Sequence, residues 1–269
     1  MKIIKYIFIL FSTLAFCQTP DITGTAIDTS NYSFKRIQIR MESRFIENDS
    51  TNGERYFNRA KLYSEIREYE TALKDFNKSA KLLPNELAIY YYRGSVYDNL
   101  KDFNKAIIDY NKVIELKSDF EWAYTDRGMM YFEIQDYEKA ENDFKKALEL
   151  KPNWTIPLTN LGKVYAKKNE FEKAIEYYER AIQSDSKNHL AYQNLGYVYF
   201  LQEKYNLAIK SYTKAIDLFP KYYNAIRSRA DAKKASGDFS GFCQDLKLAA
   251  KLGDTKAIAF LKKNNACGK

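Results

Sequence analysis

The sequence predicts an all-α array of six tandem helix pairs closed by one further helix. Three observations carry that prediction: the chain matches itself at a spacing of 34, small residues recur at set places in each 34, and proline stands where pairs end. Rows begin at Gly53, Leu87, Glu121, Thr155, His189 and Tyr223 without insertion, and self-similarity at such a period marks stacked supersecondary units.

Within the rows, position 8 is Ala60, Gly94, Gly128, Gly162, Gly196 and Ala230, and position 27 is Ser79, Val113, Ala147, Ala181, Ala215 and Ala249. Position 20 is Ala72, Ala106, Ala140, Ala174 and Ala208, then Phe242. Position 24 is large throughout (Phe76, Tyr110, Phe144, Tyr178, Tyr212, Leu246), and position 11 is Tyr until Lys233 replaces it in the sixth row. Small residues let two helices approach while the large ones fill the space between them. Polar turns such as LKDF, IQDY and KNEF separate the helices of a row, and Pro84, Pro152 and Pro220 at position 32 end the second. The rows are 53–86, 87–120, 121–154, 155–188, 189–222 and a ragged 223–254.

Residues 1–17, MKIIKYIFILFSTLAFC, read as an export signal: Lys2 and Lys5, an apolar run too short to span with conventional flanks, then a small-residue site. Cleavage before Gln18 puts Ala15 and Cys17 at −3 and −1. LAFC is also readable as a lipobox with Cys17 acylated, although Phe16 is bulky where such signals carry Gly, Ala or Ser, and an uncleaved anchor is the third reading. The expected location is therefore exported, periplasmic or envelope-associated, with membrane attachment only if Cys17 is lipidated. Residues 18–52 lack the repeat. Their Thr, Ser and Asp content suggests a flexible, irregular tether, and residues 35–47 fit either a short helix or a strand through Ile37, Ile39 and Met41. At the other end, Gly253 stops a helix and Asp254 caps a new one, so that 255–269 form a capping helix and tail.

The chain carries 43 Lys and Arg against 35 Asp and Glu, a net charge of +8, or 41 − 35 = +6 without residues 1–17. These charges interleave, as in KDFNK and EFEKAIEYYER, which is the pattern of solvated helix faces rather than a nucleic-acid footprint. At position 7 stand Arg59, Arg93, Arg127, Leu161, Leu195 and Arg229, and at position 23 Asp75, Asp109, Asp143, Tyr177, Ser211 and Asp245. Arg occurs only in rows that carry Asp, and antiparallel helices would set 7 opposite 23. The expectation is an ion pair between the two helices of a row, whose value lies in register; four catalytic Asp residues would not explain the pairing.

The spaced small, Tyr, Ala, aromatic, Ala and Pro positions, seen whole in TNLGKVYAKKNEFEKAIEYYERAIQSDSKN, resemble the tetratricopeptide repeat family. The resemblance implies an α-solenoid, a right-handed superhelix with a concave groove lined by first-helix positions 2, 5, 6, 9, 12 and 13. Those positions select Phe57, Asn58, Lys61, Tyr91, Tyr92, Trp122, Met129, Phe132, Asn160, Lys163, Asn194, Tyr197 and Phe200 as binding residues. Aromatics and Met on such a surface suit peptide side chains, and Asn amides suit a peptide backbone. The family's carboxylate clamp is not expected: Asn194 fits its middle element, but Thr159, Lys163, Asn224 and Ser228 do not fit the others.

Enzyme motifs are lacking. His189, the one histidine, lies at a row junction, and no nucleotide-loop, nucleophile-elbow or zinc-protease pattern occurs. The sequence thus leads to a non-catalytic scaffold of the bacterial cell envelope that binds a protein or peptide, with no cofactor, metal or nucleic acid. Glycan or cell-wall binding through the groove aromatics is the alternative, as is an accessory role in a secretion or envelope complex.

Of the three cysteines, Cys243 stands at row position 21, otherwise mostly apolar, and Cys267 in the tail. An exported protein can hold disulfides. With a turn near Gly253, a short tail folding back would join them as a staple on the cap; a buried thiol and a free one is the other reading.

Overall fold

Every row folds as two antiparallel helices that begin where the 34-residue register places them. The computed structural model describes residues 29–263 and Cys267; the leader 1–17, with Cys17, and residues 18–28 lie outside that range. The pairs are α2 (Gly53–Glu65) with α3 (Tyr69–Leu82), α4 (Leu87–Asn99) with α5 (Phe103–Leu116), and α6 (Glu121–Glu133) with α7 (Tyr137–Leu150). They continue as α8 (Thr155–Lys167) with α9 (Phe171–Ser184), α10 (His189–Leu201) with α11 (Tyr205–Leu218), and α12 (Tyr223–Ala235) with α13 (Phe239–Lys251). A helix α1 (Thr29–Asn48) precedes them and α14 (Thr255–Lys263) follows. Among the described residues there is no strand. Each helix packs on its pair partner and each second helix on the next first helix, which makes an all-α solenoid. Most successive first helices also touch, whereas second helices do not approach one another comparably, so first helices line the inner wall.

The small and large positions do the work of close packing. Ala60, Ala72, Ala106, Ala140, Ala174, Ala208 and Ala230 are fully buried, with Phe76, Tyr110, Phe144, Tyr178 and Tyr212 between the helices. A methyl group on Gly162 would overlap the Tyr178 ring. The turn inside each pair is a Schellman motif: the Arg67 and Glu68 amides donate to the Ser64 and Tyr63 carbonyls at 3.0 and 2.8 Å, and the other five pairs repeat this. Its pivot is left-handed in all six rows, at Arg67, Lys101, Gln135, Asn169, Glu203 and Gly237, with φ from 59° to 89°. Only the last is glycine, so five rows carry a side chain where the backbone disfavours one by about 1 kcal/mol.

The Arg and Asp positions meet side-on. Arg93 Nε and Nη2 donate to Asp109 Oδ2 and Oδ1 at 2.8 and 2.6 Å, and the same two-point geometry joins Arg59 to Asp75, Arg127 to Asp143 and Arg229 to Asp245. The remaining nitrogen of each Arg reaches back to the preceding element: Ser43, Asn77, Asn111 and Thr213, at 2.7 to 3.1 Å. Each guanidinium therefore ties three helices. Asp109 and Asp143 are nearly sealed, and burial pushes their carboxyls above the usual range although the guanidinium opposes it. In rows four and five Leu161 and Leu195 take the Arg place and are buried without charge.

One segment differs from the irregular tether expected for 18–52: residues 29–48 are the helix α1. The Ile37, Ile39, Met41 alternation is not a strand. Ile39 and Ile46, seven apart and thus on one helix face, are buried against the first row. Around them Lys35 pairs with Glu65 at 3.1 Å, Arg36 with Glu68, and Arg55 with Glu42 at 3.4 Å. Because Ser43 accepts from Arg59 as Asn77 accepts from Arg93, α1 stands toward the first row as each second helix stands toward the next row.

At the far end α14 covers row six through Ala257 and an edge-on contact of Phe260 with Phe242 at 5.7 Å between centroids. Asp254, 2% exposed, accepts from the Lys256 amide and from Arg227 Nη1 at 2.9 and 2.7 Å, so it both caps α14 and binds it to α12. Cys243 and Cys267 are joined, with sulfurs 2.16 Å and Cα atoms 5.3 Å apart.

Candidate functional site: the concave face

The first helices leave one stripe of side chains facing the inner wall, because positions 8 and 11 turn inward to the second helix. Along α2 and α4, Phe57 meets Tyr92 edge-on with centroids 5.7 Å apart, and Lys61 Nζ lies 5.4 and 5.1 Å from the two rings. Partial burial lowers the Lys61 pKa, which an aromatic face compensates in part. Asn58, one turn away, has no side-chain hydrogen-bond partner among the described residues.

The middle of the stripe is more polar than the sequence positions suggested. The Tyr91 hydroxyl donates to Asp126 Oδ2 at 2.7 Å, while its ring packs on Tyr92, Tyr110 and Phe120. Burial raises the Asp126 carboxyl to about 7; the Tyr91 hydrogen bond opposes the shift and nearby Asp98, itself raised by burial, adds to it. Lys163 Nζ donates to Asn160 Oδ1 at 3.1 Å, and burial lowers its pKa against the field of Glu133. Met129 and Phe132 pack on the core beneath, with the Phe132 ring 5.5 Å from Tyr137.

Trp122 differs in character from the rest. Its ring stands edge-on to Trp154 at 4.5 Å, and Lys151 Nζ lies 5.9 and 4.8 Å from the two rings, so Trp122 is part of the joint between rows three and four. The last third is the most open. Tyr197 is 51% exposed, and with Phe200, Tyr212, Ser228, Asp231, Lys234 and Phe239 it lines a cavity of about 540 Å³ between rows five and six. Asn194 beside it has no side-chain hydrogen-bond partner among the described residues. Sequence positions alone did not reveal the Tyr91–Asp126 pair or the cavity, because both form between rows.

Among the described residues this surface offers aromatic edges, the unpaired amides of Asn58 and Asn194, and isolated charges of both signs. Such a wall can grip an extended chain, with amides for its backbone and the cavity for a bulky side chain.

Comparisons with known proteins agree with the architecture. Models of the tetratricopeptide repeat match residues 53–86, 88–120, 119–187 and 156–221. No curated protein matches the chain. Among solved structures, a tetratricopeptide repeat protein from Parabacteroides merdae ATCC 43184 is 19% identical, with 90% of this chain and 97% of that one covered at a TM-score of 0.70. PilW, a widely conserved type IV pilus biogenesis factor, is 18% identical over 78% of this chain and 98% of its own, also at 0.70. YrrB, a repeat protein with an unusual peptide-binding site, is 24% identical over 72% and 97%, at 0.57.

Proposed function

Because the chain belongs to the tetratricopeptide repeat family, we propose that it is a non-catalytic interaction scaffold whose concave face holds an extended segment of a partner protein. The carrying observation is the open stretch of rows five and six, where Tyr197, Phe200 and Phe239 border the cavity beside the unpaired amide of Asn194. Aromatic walls with a few polar groups are what a peptide side chain requires. The leader MKIIKYIFILFSTLAFC supports an exported chain acting in the bacterial envelope, in keeping with the pilus role named for PilW. The glycan reading is weaker, since Trp122, its best stacking platform, is engaged by Trp154 and Lys151.

Selection from a random linear-peptide library tests the proposal. The intact chain should enrich peptides with a bulky apolar residue, and the triple variant Asn194→Ala, Tyr197→Ala, Phe200→Ala should lose them while keeping its helical circular dichroism. Equal enrichment by both proteins would place binding elsewhere.

A further inference from the structure

The face of α1 turned away from the first row is apolar, and no helix among the described residues packs over it. Phe34, Ile37, Met41 and Phe45 are 59, 52, 53 and 43% exposed, and their spacing of three, four and four puts them on one stripe of the helix. In a complete repeat a first helix would cover such a face; among the described residues α1 is packed on its Ile39 and Ile46 side, and on the outer stripe only Phe45, at its end, meets α2, its ring 4.2 Å from the Arg55 guanidinium. Along one edge of the stripe run Arg40 and Arg44, both exposed and without an ion-pair partner among the described residues, with the exposed Glu47 behind them, farther from the stripe. The other cations nearby, Lys35, Arg36 and Arg55, are already paired with Glu65, Glu68 and Glu42. The opposite edge carries Asn31 and Gln38, with Glu42 beyond them already paired with Arg55.

We propose that this face of α1 lies on an anionic lipid surface, with the four apolar side chains in the interface and Arg40 and Arg44 against the headgroups. The charge pattern selects this occupant over two others. In an antiparallel pair of identical helices, the two-fold axis brings the Arg40 and Arg44 edge of one against the same edge of the other, which is repulsive; a parallel pair sets it against Asn31 and Gln38, where the one acid, Glu42, is already engaged by Arg55. The apolar leader carries Lys2 and Lys5 and no acid, so it offers those arginines nothing. A basic edge beside an apolar stripe on an in-plane helix is the pattern that binds anionic bilayers. The chain's layout agrees: eleven residues separate Cys17 from Thr29, a reach of at most about 40 Å, so a leader held in a bilayer or an acylated Cys17 would keep α1 at its surface.

The test uses the full chain with Cys17→Ser and Met41→Cys, labelled at position 41 with an environment-sensitive fluorophore, Cys243 and Cys267 remaining joined. Vesicles of phosphatidylcholine containing phosphatidylglycerol should shift the emission to the blue, and binding should weaken steeply with salt. Pure phosphatidylcholine vesicles, which retain the leader's insertion, should leave position 41 unshifted. The further change Arg40→Glu with Arg44→Glu should weaken the response roughly 25-fold or more, at about fivefold for each basic residue near the surface, with unchanged circular dichroism. The same label at Lys74, on α3, should not respond. Equal shifts on neutral and anionic vesicles would overturn the proposal, as would no shift on either. So would a shift without lipid that rises with protein concentration alongside a doubled mass, which would make the occupant a second copy.

Discussion

Replacing Arg93 by Leu should destabilise the array by about 3–5 kcal/mol, because it strands a buried carboxylate. Asp109 is 1% exposed, and both its oxygens accept from Arg93, at 2.6 and 2.8 Å. The same change also cuts the 2.8 Å link to Asn77. Rows four and five show that the place itself tolerates an apolar residue, with Leu195 buried opposite Ser211. Copying that pair, Arg93→Leu with Asp109→Ser, should therefore recover most of the loss, to within about 1 kcal/mol of the parent, since a buried ion pair exchanged for well-packed neutral groups is often near neutral. Urea unfolding followed by circular dichroism measures both, with amide exchange in α4 and α5 to locate the loss in a fold that need not open as one unit. The single variant's deficit should shrink as pH falls, because burial without the guanidinium raises the stranded carboxyl further and it takes up a proton. If single and double variants are equally destabilised, or the single costs under about 1 kcal/mol, the pair is not the register device argued for here.

Asp126→Asn should stabilise the protein by about 2 kcal/mol at pH 8 and by little at pH 4, half of what a shift of three pH units would convert to, since the Asp126 residue keeps partial solvent exposure. The sign follows from a folded pKa of about 7, raised above the unfolded value: stability is full below about pH 4 and is lost as pH rises through 7. Thermal melts across that range read it. Gly237→Ala, at φ 89°, should cost about 1 kcal/mol in a urea titration, while Ala at Lys101, already left-handed with a side chain, should be nearly silent. Cys243→Ser should lower stability by about 3–4 kcal/mol, from the loop of 24 residues it opens; the denatured, unreduced parent should show no thiol from either Cys243 or Cys267.

What was legible from sequence is what repeats. Positions 8, 20, 24 and 27 face one another inside a row, so their size pattern carries the packing, and the shared loss of Arg and Asp in rows four and five pointed to their contact. Interactions specific to one joint leave no period to detect. Tyr91 with Asp126 and Trp122 with Trp154 each occur once. The left-handed residue of the turn was hidden for another reason: Arg67, Lys101, Gln135 and Glu203 are not residue types that announce positive φ, only Asn169 is, and the Schellman hydrogen bonds of the turn hold it there. For α1, the buried Ile39 and Ile46 sit among exposed apolar residues, so its helical period was masked by a second stripe. Arg227 and Lys233 are likewise invisible until α14 and Asp245 are placed beside them.

The two ends of the array are fastened by bonds of different kinds, and that gives the molecule a direction. The last row is closed covalently through Cys243 and Cys267 and by the sealed Arg227–Asp254 pair, whereas α1 is held by two buried isoleucines and half-open ion pairs. In a fold where each unit rests on its neighbours, opening starts at the weaker end and advances one helix at a time. Protease should therefore shorten the chain from α1 onward and leave a nested series of fragments sharing the C-terminus, as a zipper stitched shut at one end runs only from the other.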